Sequence, residues 1–239
     1  MSTTSSPAGS AADRPVLLIH GAAANTEAEW RAHGWVDSLE ASGRTAIGID
    51  LPGHGASADL VDRDPADLLL DAAAQHGSVD AIGFSAGAWA LLVAASEQPD
   101  RFGRIAVLGV ADRVLTDGLH TEAMQRPMAD AVRSDAEPTD NPMAMMFRGM
   151  IANAGNDRKS VADYLTAKKR FPTLEDLARI TATTLVVEGG NDMAGGSTLV
   201  AQTIPKSDRL VIDGVDHFEI PANAACKSAA ESFVNGVGG

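Results

Sequence analysis

The chain has 239 residues, 45% of them hydrophobic and 21% charged, with a formal net charge of −13. That length suits one large domain or two small ones at roughly 100–200 residues each, and the balance excludes a disordered, collagenous or coiled-coil chain. The acidic field repels nucleic acid and anionic lipid. No apolar run approaches the ~20 residues of a membrane helix, and the single cysteine, Cys226, excludes an internal disulfide framework and a multi-cysteine metal site.

Residues 1–14 are small, polar and interrupted by Pro7 and Gly9, which predicts a disordered tail without a signal-peptide pattern. From Pro15 on, short apolar runs alternate with longer amphipathic stretches. Val16–Ile19 predicts the first strand, ended by His20 and Gly21. Further strands are predicted at 45–51, closed by Pro52, Gly53 and Gly55, then at Val79–Phe84, 105–110, 184–188 and 209–212. These runs are aliphatic or β-branched and bounded by Gly, Asp or Pro. They are continuous rather than alternating, as expected of strands buried on both faces. Between them, 35–42, 67–75, Ala86–Glu97 and 222–234 carry apolar residues at three- and four-residue spacing and predict helices.

Strand–helix alternation of this kind predicts an α/β domain with a doubly wound, mostly parallel sheet. Its core is expected at 15–111 and 183–239. Residues 112–182 break the alternation, with helical stretches and no convincing strand, and read as a helical cap inserted over one end of the sheet. Residues 112–180 hold six of the eight methionines, and their 10 basic and 11 acidic residues nearly balance.

Gly83-Phe84-Ser85-Ala86-Gly87 fits G-x-S-x-G between a predicted strand and a helix that begins with almost no loop. A nucleophile needs such a sharp turn: it pushes the serine hydroxyl out at the carboxyl end of the sheet, and the helix N-terminus adds an amide and the positive end of a dipole. His20-Gly21-Ala22-Ala23-Ala24 follows the first strand, where small residues let a backbone N–H approach a developing oxyanion. Ala22 is the first choice of donor and Ala23 the second, with Ala86 supplying the other N–H.

A general base should come late in the chain, because this kind of turn goes with the order Ser, acid, His. His217 meets that condition. His20 and His54 sit in Gly-flanked turns suited to holding loops, and His33, His76 and His120 lie in polar contexts and read as solvated. Two aspartates compete to orient the base: Asp192, in the loop after 184–188, is favoured over Asp112, after 105–110. Asp216 adjoins His217, but neighbouring side chains diverge.

Taken in order, VLLIHG, an aromatic near Trp35, DLPGHG at 50–55, GFSAG at 83–87, GGND at 189–192 and DHF at 216–218 resemble the α/β-hydrolase superfamily, in its small single-domain esterase, lactonase and haloperoxidase-like branch. The resemblance covers about residues 15–111 and 183–236. It implies Ser85, Asp192 and His217 as a catalytic triad, Ala22 and Ala86 as the oxyanion hole, and 112–180 as the cap. The chain departs from the family in three ways. Its start is too polar for the two extra strands often found there, Asp216 stands where glycine commonly precedes the histidine, and the cap sequence matches no subfamily. Ser85 speaks against dehalogenases and epoxide hydrolases, whose nucleophile here is an aspartate.

The expected activity is a serine hydrolase acting on a carboxylic ester, lactone or thioester, without cofactor or metal, in the cytoplasm, as a monomer or homodimer on a small-molecule substrate. The alternatives are a carbon–carbon hydrolase or lyase on the same triad, or a hydrolase-like receptor with little turnover. Met145, Met146 and Phe147 are candidates for an apolar acyl pocket, against the alternative that the methionines pack the cap on itself. Gly53–Ala58 formally matches a dinucleotide-binding turn, but the charged, Pro-broken 59–65 after it argues against one. Arg158, Lys159, Lys168, Lys169 and Arg170 read as a solvated helix face, or else as an anion-attracting rim.

Overall fold

The computed structural model describes residues 14–136 and 140–237. The expected disordered tail therefore lies, but for Arg14, outside the described residues. Six strands form one sheet: β1 (Val16–Ile19), β2 (Ala46–Ile49), β3 (Val79–Phe84), β4 (Phe102–Leu108), β5 (Thr183–Gly189) and β6 (Ser207–Ile212). Every neighbouring pair is parallel, in the order β2-β1-β3-β4-β5-β6.

Successive residues of a strand face opposite sides, and the core divides accordingly. Leu17, Ile19, Ala81, Ile105, Val107 and Val186 belong to one apolar cluster. Val16, Leu18, Ile82, Ala106, Leu108 and Val187 belong to the other. The first cluster is completed by α2 (Pro65–Ala74) and α3 (Ala86–Glu97), the second by α1 (Trp35–Ala41) and α10 (Ala224–Val234). Strands β1 and β3 are buried throughout, whereas β2 and β6, at the sheet edges, are half-exposed. Burial on both faces thus holds for the inner strands alone.

Local chemistry explains the boundaries. Asp64 caps α2, accepting the Ala66 N–H, and Pro65 opens the helix where no intrahelical N–H bond is required. That sets the start of α2 two residues before the predicted 67. Helix α3 is apolar all round, because it lies between the sheet, α2 and the helices after β4. Trp35 anchors α1 by donating its indole N–H to Pro221 O at 2.8 Å and meeting Trp30 edge-on at 5.0 Å. At the amino end of the sheet, fully buried Asp80 binds Arg44 at 2.5 Å and Arg14 at 2.9 Å.

Among the described residues five helices separate β4 from β5: α4 (Asp112–Thr116), α5 (Glu122–Arg133), α6 (Pro142–Asn153), α7 (Arg158–Thr166) and α8 (Leu174–Ala178). Helices α5, α6 and α7 pack on one another, while α8 packs on α3 and on α9 (Thr198–Thr203) beside the sheet. Among the described residues, no helix is long and apolar enough to cross a membrane.

Candidate active site

In a parallel sheet all strands point their carboxyl ends the same way, so the loops after β1, β3, β5 and β6 emerge at one end of the sheet. The strand order reverses between β1 and β3, and a crevice opens outside the carboxyl ends at such a switch point. Ala22 follows β1 and Ser85 follows β3.

Ser85 has φ 49° and ψ −114°, strained for a residue with a Cβ. Two contacts hold it there. Its N–H donates to Leu108 O at 2.9 Å. Two residues on, a Cβ at Gly87 would meet Ile19 O at 2.4 Å, so only glycine lets α3 start this close to β1. The hydroxyl emerges 3.0 Å from His217 Nε2, and His217 Nδ1 lies 2.7 Å from Asp192 Oδ2. The other Asp192 oxygen accepts the Ala194 N–H at 2.8 Å. Asp192 is nearly buried and His217 is partly open. Behind them Gly109, with φ +65°, makes room: a Cβ there would meet the Phe84 ring at 2.8 Å and His217 Cε1 at 3.2 Å.

The structure therefore brings Ser85, His217 and Asp192 together, and Asp112 elsewhere. Asp112 accepts N–H bonds from Leu199 and Val200 at 2.9 and 3.0 Å, at the start of α9. Asp216 turns away from His217 and closes a reciprocal pair with Glu219: Glu219 N–H to Asp216 Oδ1 at 3.0 Å, and Asp216 N–H to Glu219 Oε2 at 3.0 Å. Its side chain holds the turn where glycine is usual.

The loop after β1 is pinned from three sides. His20 Nε2 accepts the Leu51 N–H at 2.9 Å, and its Nδ1 faces Gly21 O at 2.7 Å. His54 Nε2 accepts the Ala23 N–H at 3.1 Å, and its Nδ1 faces Pro52 O at 2.9 Å. Each ring thus uses one nitrogen as donor and one as acceptor, the neutral imidazole. Burial lowers the His54 pKa to about 3 and also lowers that of His20. The Ala23 amide is consumed by His54, whereas the Ala22 and Ala86 N–H groups meet no acceptor among the described residues. Gly21 N–H donates to buried Glu29 at 2.6 Å, and burial pushes that carboxyl up to about 8 against the opposing pull of the Gly21 bond. Glu29 sits on a π-helical turn, Thr26–Arg31, and no sequence signal marks it as a partner of this loop.

A cavity of about 570 Å³ opens from Ser85, Ala22 and Ala86. Its wall includes Trp89, Phe147, Tyr164 and Phe171. Trp89 was accessible to sequence reasoning, being one helical turn past Ser85 on α3; the others depend on how 112–180 folds. Three expectations need correction. Met145 is 49% exposed, and neither it nor Met146 lines the cavity. Phe147 does, because α6 turns Ala144, Phe147 and Ile151 inward at spacings of three and four, which rotates 145 and 146 away. His120 is no freely solvated residue: it lines the cavity and stacks on Phe171 with centroids 4.0 Å apart and planes 6° apart.

The basic cluster is not a helix face either, since 168–170 follow the end of α7. Arg170 pairs with Asp64, Asp67 and Glu97. Lys169 donates to Tyr164 O, to Ala167 O at 3.2 Å and to Leu165 O at 3.3 Å, with its ammonium 4.4 Å from the Tyr164 ring centroid. Burial lowers its pKa to about 8. The Gly53–Ala58 turn continues as a 3₁₀ turn, Gly55–Ser57, rather than a long helix. Among the described residues no cluster of three His, Cys, Asp or Glu is placed to hold a metal ion.

The family model described as the alpha/beta hydrolase family matches residues 16–225. No curated protein sequence matches the chain significantly. Solved structures share the fold. MenH from S. aureus has a TM-score of 0.75 at 14% identity over 94% of each chain. A thermophilic esterase from Thermogutta terrifontis has 0.66 at 20% identity over 93% of this chain and 90% of that one. The esterase RhEst1 from Rhodococcus sp. ECU1013 has 0.64 at 16% identity over 96% and 93%.

Proposed function

The chain belongs to the alpha/beta hydrolase family, and from that premise we propose that it is a serine hydrolase cleaving a carboxylic ester, lactone or thioester. The observation that carries the reading is the continuous run from Ser85 Oγ through the His217 ring to Asp192, at 3.0 and 2.7 Å, at the mouth of an apolar cavity.

In this reading His217 Nε2 takes the Ser85 proton as Oγ attacks the substrate carbonyl. Asp192 keeps the other ring proton on Nδ1 and stabilises the imidazolium that forms. The Ala22 and Ala86 N–H groups, which meet no acceptor among the described residues, receive the oxyanion. His217 then returns the proton to the leaving oxygen or sulfur, and water cleaves the acyl-enzyme by the same steps in reverse. Helices α4–α7 act as the cap, and Phe147 on α6 and Tyr164 on α7 are among its contributions to the acyl-binding wall.

A fluorophosphonate probe together with a panel of p-nitrophenyl esters and lactones tests this. Rapid labelling at Ser85, turnover of at least one substrate, and loss of both in Ser85→Ala with the fold retained are expected. Turnover by Ser85→Ala above a few per cent of wild type would overturn the mechanism, since removing one triad member costs orders of magnitude.

A further inference from the structure

Charged groups around the cavity are largely matched within the protein. Arg170 is held by three carboxylates, Lys169 by backbone carbonyls, and Glu122 by Arg126, while Lys168 is exposed at the rim. Two polar side chains on the cavity wall, His120 and Gln125, are different. His120 Nδ1 lies 3.0 Å from Val114 O, and Gln125 Nε2 lies 2.7 Å from Leu119 O. A carbonyl can only accept, so each bond fixes the donor end of its side chain on the backbone. The opposite end of Gln125, Oε1, is then an acceptor, and so is His120 Nε2 in the tautomer that carries the ring's one proton on Nδ1. Neither atom has a partner among the described residues, and neither is sealed from solvent-sized access. The His120 plane is itself locked by the stack on Phe171, which leans in turn on Trp89 at 4.7 Å.

We infer that this wall is a recognition subsite for an uncharged hydrogen-bond donor, a hydroxyl or amide N–H carried on an apolar or aromatic body of the substrate, with His120 Nε2 and Gln125 Oε1 as its acceptors. The inference rests on the hydrolase reading and narrows its substrate class. The aromatic walls take the body of the ligand, and the fixed acceptors select what it carries. Side chains pre-set by backbone bonds lose little freedom on binding, which is the condition for a polar contact to discriminate.

The test uses matched ligands that differ only in the donor. Esters of the 3-phenylpropyl skeleton are prepared unsubstituted, with a 4-hydroxyl and with a 4-methoxyl, once as the acyl part of p-nitrophenyl esters and once as the alcohol part of acetates. The methoxyl is the more apolar group, so apolar burial alone favours it. Wild type is expected to prefer the hydroxyl form about tenfold in kcat/KM on one of the two sides, the worth of one net hydrogen bond. His120→Phe, which keeps the stack, and Gln125→Leu should each reduce that ratio. A hydroxyl-to-methoxyl ratio near one on both sides in wild type, or an undiminished ratio in both variants, would overturn the subsite. Binding of the two free alcohols to wild type, followed by tryptophan fluorescence, gives the same ratio without turnover or any variant. Failure of the fluorophosphonate to label Ser85, together with no turnover across the ester and lactone panel, therefore overturns the hydrolase reading alone, and hydrolysis with flat ratios overturns the subsite alone.

Discussion

Glu29 offers a quantitative test of the loop that carries Ala22. Its carboxyl is buried, its partner is the Gly21 N–H, and burial raises its pKa from 4.5 to about 8. The folded state therefore holds a proton that the unfolded chain releases. The stability linked to this group is fully present below pH 4.5 and is lost as pH rises through 8. The full shift corresponds to roughly 5 kcal/mol, at about 1.36 kcal/mol per pH unit. Between pH 5.5 and 8.5 the expected loss is about 3 kcal/mol, roughly 6–12 °C in Tm for a chain of this size. Glu29→Gln mimics the protonated carboxyl, since the amide oxygen still accepts the Gly21 N–H, and it cannot titrate. His20 and His54 act in the opposite sense: their pKa values are lowered, so their contribution is lost as pH falls below 6.5. Both proteins share those histidines, so the difference between them isolates Glu29. Urea unfolding followed by tryptophan fluorescence, at several pH values from 5.5 to 8.5, should show wild type falling relative to Glu29→Gln. Parallel stability curves across that range would refute the buried, protonated assignment.

Other consequences follow from individual contacts. Asp192→Asn should lower kcat by up to about 10⁴-fold on the best substrate, because the imidazole loses its orienting carboxylate. Asp112→Asn should leave kcat near wild type, since Asp112 serves the start of α9. Asp80→Ala should destabilise the fold by about 3–5 kcal/mol in urea melts, as it leaves Arg44 buried without its carboxylate. Phe147→Ala should reduce kcat/KM more for octanoate than for acetate esters, by up to roughly 0.8 kcal/mol for each acyl methylene that the ring no longer shields from water. Met145→Ala should affect the two esters alike, because Met145 faces solvent.

How much of this was legible in advance depended on the range of the determinant. The six strands were readable because inner strands need continuous apolar runs, and their errors are confined to the ends. Strand β4 begins at Phe102 rather than 105 because it gains pairing partners in β3 that its own composition does not announce. The turn at Ser85 was readable because its strain and close approach demand small residues within five positions. Asp192 and Asp112 could be ranked but not separated by sequence, since each follows a strand and each is equally suited to cap a helix. The sheet order separates them: β5 and β6 are neighbours, so their loops meet, and His217 reaches Asp192 across 25 positions and Ser85 across 132.

The cavity wall lay beyond the sequence for a further reason. Residues 112–180 carry no periodic pattern tied to the sheet, so composition identified a methionine-rich insertion without saying which faces turn inward. Helix α6 presents Phe147 and not Met145, and the loop after α7 folds Lys169 back onto its own carbonyls. The fold class and the strained turn at Ser85 are local consequences of apolar runs and small residues, and the amino-acid sequence determines them directly. Which acid meets His217, which amide after β1 is left without an acceptor, and which side chains line the pocket are settled by contacts between segments far apart in the chain, and only the packed tertiary structure decides those.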